Sequence, residues 1–248
     1  MTKHLKESPP AERAQVSGYA QLPLRFDVQR LQADLRCADD FAWVAHFNAN
    51  ALDEGWSCLP LRSVEGRLDH VMPIDGLPYQ DTEILARCPY FQEVLAQLMC
   101  EITSVRLMAL EPGAQILPHR DKQTSLEDGI TRLHVPIQTT PAVLFCIDGQ
   151  EVHFSAGDLW YLNASCTHAV SNGSAERRVH LMLDCITNPW LEQLFVQAGG
   201  RLRPAPIYGD ASINDGNVQA VIAALLAGGH PAGVARAQQL QAIAALLL

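Results

Sequence analysis

His119-Arg120-Asp121, a second histidine at His168 and an arginine at Arg178 are the residues of this chain best suited to chemistry. Two imidazoles and one carboxylate make up the facial triad that holds non-haem Fe(II) and leaves one side of the ion open. If His119 and Asp121 lie on extended chain, their spacing of two points both side chains the same way. An arginine beyond the second histidine is a fixed planar cation that can grip a dicarboxylate through two parallel hydrogen bonds. The set predicts Fe(II) and a dianionic co-substrate such as 2-oxoglutarate in one pocket.

Single histidines are usually structural, and His-Arg-Asp also occurs in the catalytic loop of protein kinases. That loop needs an asparagine five residues after the aspartate, where this chain has Leu126, and there is no glycine-rich loop or Asp-Phe-Gly. The kinase comparison fails. Alternation strengthens the metal assignment. Arg132 and His134 share one face of a strand, as do Arg178 and His180, opposite Val179, Leu181 and Leu183. A buried sheet face carrying two arginines and two histidines is costly unless a ligand or metal satisfies it.

The elements that must position these residues are legible between about 102 and 187. Eight β-rich runs alternate with turn signals: Ile102–Leu110, Gln115–Pro118, Thr131–Gln138, Ala142–Ile147, Glu151–Phe154, Asp158–Leu162, His168–Ser171 and Arg177–Ile186. Asp148-Gly149 reads as a two-residue hairpin turn with positive φ at both positions. Eight short strands without a long helix among them predict a mainly β jelly roll, or double-stranded β-helix, with a metal pocket at its mouth. Upstream, Asp27 opens a short helix through Leu35, Trp56–Arg62 is extended, and Pro89 starts a helix over Tyr90–Met99. Residues 1–24 read as a loose arm, 25–187 as the jelly-roll domain and 188–248 as a helical extension. Within the extension, Val218–Ala227 and Val234–Leu248 form a helical hairpin around Gly228-Gly229-His230-Pro231. Leu246-Leu247-Leu248 would be unfavourable in water, so this end docks on the core or on a second copy as a homodimer.

At 248 residues with 48% hydrophobic content, the chain can bury one sizeable core. A net charge of −9 opposes nucleic-acid or anionic-membrane partners, while a small dianion needs only local arginines. Seven scattered cysteines without a C-x-x-C pair suit free, mostly buried thiols. Cys166 is a packing residue rather than a soft ligand. With no signal-peptide pattern and no long apolar run, the expected location is cytoplasmic.

The segment Val105–Asp184 resembles the aspartyl/asparaginyl β-hydroxylase family of Fe(II)/2-oxoglutarate-dependent oxygenases, and particularly its bacterial branch containing the L-proline hydroxylases. The similarity rests on Ile116-Leu117-Pro118-His119-Arg120-Asp121, Gly129–Ile137, Gly157–Ala164, His168 and Arg178–Asp184. A weaker echo is Trp56 followed by Arg62. The resemblance implies that His119, Asp121 and His168 ligate Fe(II), and that Arg178 pairs with the distal carboxylate of 2-oxoglutarate. It also implies that Arg132 and His134 contact this co-substrate near the metal. With O2 as second co-substrate, the activity implied is hydroxylation of an amino acid, free or in a peptide, with release of succinate and CO2. The eukaryotic peptide-hydroxylating members lack a carboxylate at the position of Asp121, so the complete triad places this chain nearer the bacterial branch. Arg62 is the expected substrate-carboxylate partner, preferred to Arg67 because its even spacing from Trp56 lets the two share a strand face. His180 is a second substrate candidate. Trp160 and Asn163 are candidates for shaping the pocket, with core packing as the alternative for Trp160. The contrasting function, a non-catalytic cupin-like metal-binding or sensor module, needs no arginine behind the metal.

Overall fold

The computed structural model describes residues 18–45, 55–71, 77–202, 207–210 and 212–246. Tyr19–Arg25 forms strand β1, Val28–Ala38 helix α1, Val44–Ala45 and Trp56–Val64 strands β2 and β3, and Tyr79–Asp81 strand β4. Two short helices follow, α2 (Glu83–Ala86) and α3 (Pro89–Ala96). The eight expected strands then appear as β5 (Ile102–Leu110), β6 (Gln115–His119), β7 (Ile130–Gln138), β8 (Val143–Ile147), β9 (Gln150–Val152), β10 (Asp158–Leu162), β11 (His168–Asn172) and β12 (Arg178–Ile186). Helices α4 (Pro189–Gln197), α5 (Val218–Ala227) and α6 (Pro231–Leu246) complete the order.

Strand pairing turns this list into a jelly roll. The larger sheet runs β1-β10-β7-β12-β5-β3-β2 with β4 on β3, and the smaller runs β6-β11-β8-β9. Every pair is antiparallel. From β5 to β12 the chain passes back and forth between the sheets, which closes a double-stranded β-helix. The Asp148-Gly149 turn joins β8 to β9 with φ of 46° and 81°, and Ile147 pairs with Gln150 across it. Both positive φ values match the twist of the flanking strands.

The larger sheet is buried on both faces, and its two faces are coated differently. Leu133, Val135, Leu181, Leu183, Val105 and Leu107 point to one side, where Leu31, Leu35, Phe91 and Phe195 of the helices complete an apolar core. The alternate residues of the same strands face the smaller sheet, where Met108, Phe145, Phe154, Trp160 and Met182 form a second cluster. The functional candidates stand on this second face. Helix α1 is capped by Asp27, whose side chain accepts from the amides of Gln29 and Arg30, and α3 carries Pro89 at its first turn.

Two boundaries differ from expectation. Residues 19–24 belong to β1 rather than to a loose arm; residues 1–17 lie outside the described residues. Ala20 and Leu22 are buried against β10, and Gln21 donates to Asp158 at 2.9 Å. Pro23 is tolerated because β1 is an edge strand, where a missing N–H breaks no ladder. The helical extension also begins later than residue 188. Leu191, Leu194 and Phe195 of α4 belong to the jelly-roll core, and the chain divides into compact units at 202/203. The second unit has its own small core of Tyr208, Val218, Ile222, Ala237 and Leu240, with α5 and α6 as the expected hairpin. Leu246 is 86% exposed, and Leu247 and Leu248 lie outside the described residues. No helix among the described residues is long and apolar enough to cross a membrane.

Candidate metal centre

His119 ends β6, His168 starts β11, and the two residues are directly paired across the smaller sheet. Their ring centroids lie 4.3 Å apart. Asp121 follows β6, held by its own amide donating to the Ala164 carbonyl at 2.9 Å. Each of the three side chains offers one donor atom, and these atoms all lie within 4.8 Å of one another. The triad expected from spacing is therefore assembled in space.

Hydrogen bonds fix which ring nitrogens face the cluster. His119 Nδ1 lies 2.8 Å from the Leu117 carbonyl, and His168 Nδ1 lies 3.0 Å from that of Cys166. A carbonyl oxygen only accepts, so both Nδ1 atoms carry a proton, and the Nε2 atoms are left as the ring nitrogens available to a metal. Burial pushes the His168 imidazole down to about 4, reinforced by the neighbouring His119, so it stays neutral and able to ligate. Burial alone would raise the Asp121 carboxyl. The Arg132 charge, His168 and a hydrogen bond from Arg132 outweigh it and hold the group below its ordinary value. Cys166 contributes only its carbonyl; burial pushes its thiol up to about 11, and it is not part of the cluster. Among the described residues the cysteines are free, and all but Cys37 are at least partly buried.

A cavity of about 310 Å³ opens over this cluster, in the size range of small-molecule sites. Met108, Ile116, Phe145 and Leu162 form much of its apolar wall. Arg106, Arg120, Lys122, Arg132 and Arg178 give it a cationic lining in an otherwise acidic chain. Arg178 is 3% exposed and stands over the Phe145 ring at 5.2 Å. Its one side-chain hydrogen bond goes to His180 Nδ1 at 2.9 Å, and Nε has no partner. No carboxylate among the described residues pairs with it, and burial pushes the guanidinium down to about 9. This is the environment of a cation awaiting an anion.

The remaining candidates divide. His134 lines the cavity with both ring nitrogens unpartnered, and burial beside Arg178 and Arg132 keeps it neutral. Arg132 also lines the cavity, but its donors are engaged: NH1 with Asp121, and Nε and NH2 with Asp184 at 2.7 and 3.2 Å. His180 is fully buried and does not line the cavity. Because arginine only donates, His180 accepts at Nδ1, so it orients Arg178 rather than facing a substrate. Trp160 packs in the core, its ring stacked on Phe154 at 4.5 Å. Asn163 is a turn residue whose Oδ1 accepts from the Ser165 amide.

Arg62 is placed differently from expectation. A bulge between Pro60 and Arg62 puts Arg62 opposite Val105, a residue of the helix-facing side, while Trp56 faces the cavity. The extra residue cancels the even spacing from Trp56. Arg62 instead pairs with Asp81 at 2.7 Å and lines a neighbouring cleft of about 1190 Å³. That cleft shares Lys122, Thr124 and Arg132 with the metal cavity. Arg67 pairs with Asp69 at 2.7 Å.

Two residues escaped the sequence analysis. Asp184 accepts from Arg132, from Arg106 NH2 at 2.7 Å and from Ser104 Oγ at 3.1 Å. Burial would raise its carboxyl, but Arg132 and Arg106 hold it well below the usual carboxylate range. Arg106 also donates to the Val71 carbonyl at 2.9 Å. The available signal was a charge at an inward position of an apolar strand: Arg106 between Val105 and Leu107, and Asp184 in phase with Arg178 and His180.

The model of the family described as aspartyl/asparaginyl β-hydroxylase matches residues 25–188, well over half of the chain. The chain belongs to this family. Among curated relatives, it is 26% identical over 167 residues to the L-proline cis-4-hydroxylase of Rhizobium meliloti (strain 1021), covering 65% of this chain and 58% of the relative. It is 25% identical over 167 residues to the L-proline cis-3-hydroxylase 1 of a Streptomyces species, covering 65% and 57%. The chain thus spans under three fifths of the length of these relatives. Among solved structures, an oxidoreductase of the 2OG-Fe(II) oxygenase family from Burkholderia pseudomallei is similar at a TM-score of 0.46 and 14% identity. That match covers 69% of this chain and 85% of the other, and is too distant to add to the strand order above.

Proposed function

We propose that this family member is an Fe(II)- and 2-oxoglutarate-dependent oxygenase that hydroxylates an unactivated C–H bond of an amino acid, free or within a peptide. The observation that carries this reading is Arg178, a buried arginine without a carboxylate partner in the same 310 Å³ cavity as the His119, Asp121 and His168 cluster. A metal-binding module without a dicarboxylate ligand has no use for such a residue. The two proline hydroxylases to which the chain is similar agree with an amino-acid substrate.

The donor set fits Fe(II): two imidazole Nε2 atoms and one carboxylate oxygen come together in one cluster. When bound, iron with 2-oxoglutarate and O2 supplies the oxidising power for hydroxylation, with succinate and CO2 as co-products. The chain's own residues do the rest. Arg178, oriented by His180, holds the distal carboxylate of the co-substrate, and neutral His134 stands beside it without competing for the anion. Phe145, Met108 and Leu162 keep water from the space between that anchor and the metal.

Charge counting points to the substrate's polar end. Arg106, Arg120, Lys122, Arg132 and Arg178 outnumber Asp121 and Asp184 around the cavity, and Fe(II) and 2-oxoglutarate cancel one another. The loaded site therefore retains an excess of positive charge, which a substrate carboxylate offsets. The adjoining cleft has space for a substrate longer than one residue. Succinate release with Fe(II), measured over free amino acids and short peptides, tests the function. Succinate that forms only with an added amino acid or peptide supports it. Failure to bind 2-oxoglutarate in the presence of a divalent metal overturns it.

A further inference from the structure

Arg132 and Asp184 occupy positions that decide how Asp121 can meet a metal. Arg132 NH1 takes Oδ2 of Asp121, leaving Oδ1, which lies 3.9 Å from His119 Nε2, as the oxygen on the ligand side. The other two nitrogens of the same guanidinium donate to Asp184. Asp184 in turn is held by Ser104 and Arg106, and Arg106 is tied to the Val71 carbonyl. Arg106, Arg132 and Asp184 are each buried, at 3%, 8% and 2% exposure. Their register fixes the geometry: Asp184 on β12 is directly opposite Arg132 on β7 and Ser104 on β5. The guanidinium is planar and has no alternative carboxylate among the described residues, so it cannot turn from Asp121 without leaving Asp184.

We propose that Asp184 is a positioning residue, which locks Arg132 so that Asp121 gives the metal one oxygen and not two. This rests on the metal-centre reading above. A six-coordinate ion held by His119, His168 and a single Asp121 oxygen has three positions left for non-protein ligands. If Asp121 rotated to offer both oxygens, only two would remain. The clamp thus sets the number of open positions, at a distance of one side chain from the ion. It also explains a buried group of two arginines and one aspartate, Arg106, Arg132 and Asp184, which hydrophobic residues could replace if only stability were at stake. The positions on β7 and β12 that build it are separate from Arg178, so co-substrate grip and ligand geometry can be changed independently.

The test uses the full chain, stripped of metal with a chelator and titrated with Co(II), whose ligand-field absorption reports coordination number without turnover. The variants are Asp184→Asn and, should that protein fail to fold, Arg132→Lys, which keeps the charge but cannot span both carboxylates. The expected result is a 10- to 100-fold loss of Co(II) affinity, the usual size for an outer-shell partner. At saturation the spectrum is also expected to differ from that of the unsubstituted protein. Unchanged affinity and spectrum would overturn the proposal. So would weaker binding with an unchanged saturated spectrum, since that is mere loosening of the fold. If the unsubstituted chain itself binds no Co(II), the metal-centre reading fails first and the clamp with it.

Discussion

Replacing Arg178 by Met should make the metal-free protein more stable while removing its hold on 2-oxoglutarate. In the absence of an anion, this guanidinium is buried at 3% exposure, with one hydrogen bond to a neutral histidine and an aromatic ring at 5.2 Å. Burial pushes it well down from its ordinary value, to about 9. At about 1.4 kcal/mol per pH unit, that displacement corresponds to roughly 5 kcal/mol against the charged form. The sign follows directly. At pH 7 the group is charged in both folded and unfolded chains, so the whole penalty is present, and it declines only above pH 9. Apolar replacement of buried ions typically recovers about 1–4 kcal/mol, so a gain of that size is expected. The same variant loses a charge-assisted pair contributing about 1.5–3 kcal/mol, which weakens 2-oxoglutarate binding roughly ten- to a hundred-fold. The assay is urea unfolding of the metal-free chain, and of the Mn(II)-loaded chain with and without 2-oxoglutarate. At a concentration of 100 Kd, the co-substrate should stabilise the unsubstituted protein by about 2.7 kcal/mol. Its effect on Arg178→Met should be far smaller. A variant that is less stable without metal, yet equally stabilised by 2-oxoglutarate, would refute the assignment and make Arg178 a structural residue.

Three further outcomes are expected. His168→Ala should abolish high-affinity divalent-metal binding and substrate-dependent succinate formation, because two ligands hold the ion poorly; normal metal titration of this variant would remove the triad. The metal-free chain should lose stability as pH falls from about 6.5 toward 4, because His168 binds its proton readily unfolded but only near 4 when folded. That single group contributes about 3 kcal/mol across the window, with buried His134 and His180 acting in the same direction; flat urea midpoints from pH 7.5 to 5 would contradict it. Arg62→Ala should change the unfolding midpoint little, since its partly exposed pair with Asp81 contributes about 1 kcal/mol or less. If the neighbouring cleft carries substrate, this variant should retain uncoupled 2-oxoglutarate decarboxylation and lose substrate-stimulated succinate formation, whereas equal loss of both would assign Arg62 to the fold.

The strands carrying the site were legible because their alternation is strict. Ile102–Leu110 and Asp158–Leu162 match the structure end to end, and the Asp148-Gly149 turn has the φ values its residues demand. The triad was legible because its spacing and strand faces agree. Pairing was not. β1 contains Pro23 and short alternation, and only its partner β10 reveals it as a strand. The bulge before Arg62 leaves no mark in composition, yet it moves that side chain to the other face of the sheet. Asp184 looked like one more residue of a matching segment, because its meaning lies in Ser104, Arg106 and Arg132, brought to it from β5 and β7. Likewise, the boundary at residue 203 depends on what α4 packs against, which periodicity alone does not disclose.

The central place of β12 ties chemical competence to the completion of folding. This strand is the last of the sheets to be synthesised, yet it inserts between β5 and β7, which precede it by dozens of residues. It brings both Arg178 and Asp184. A nascent or partly unravelled chain lacking this one strand still contains His119, Asp121 and His168, but neither Arg178 nor the aspartate bonded to Arg132. Such long-range pairings form slowly, and domains assemble in the direction of synthesis. On the proposed role of Arg178, an incompletely folded chain that picks up iron has little means of retaining 2-oxoglutarate. On the same proposal, topology delays oxidative capacity until β12 is in place between β5 and β7.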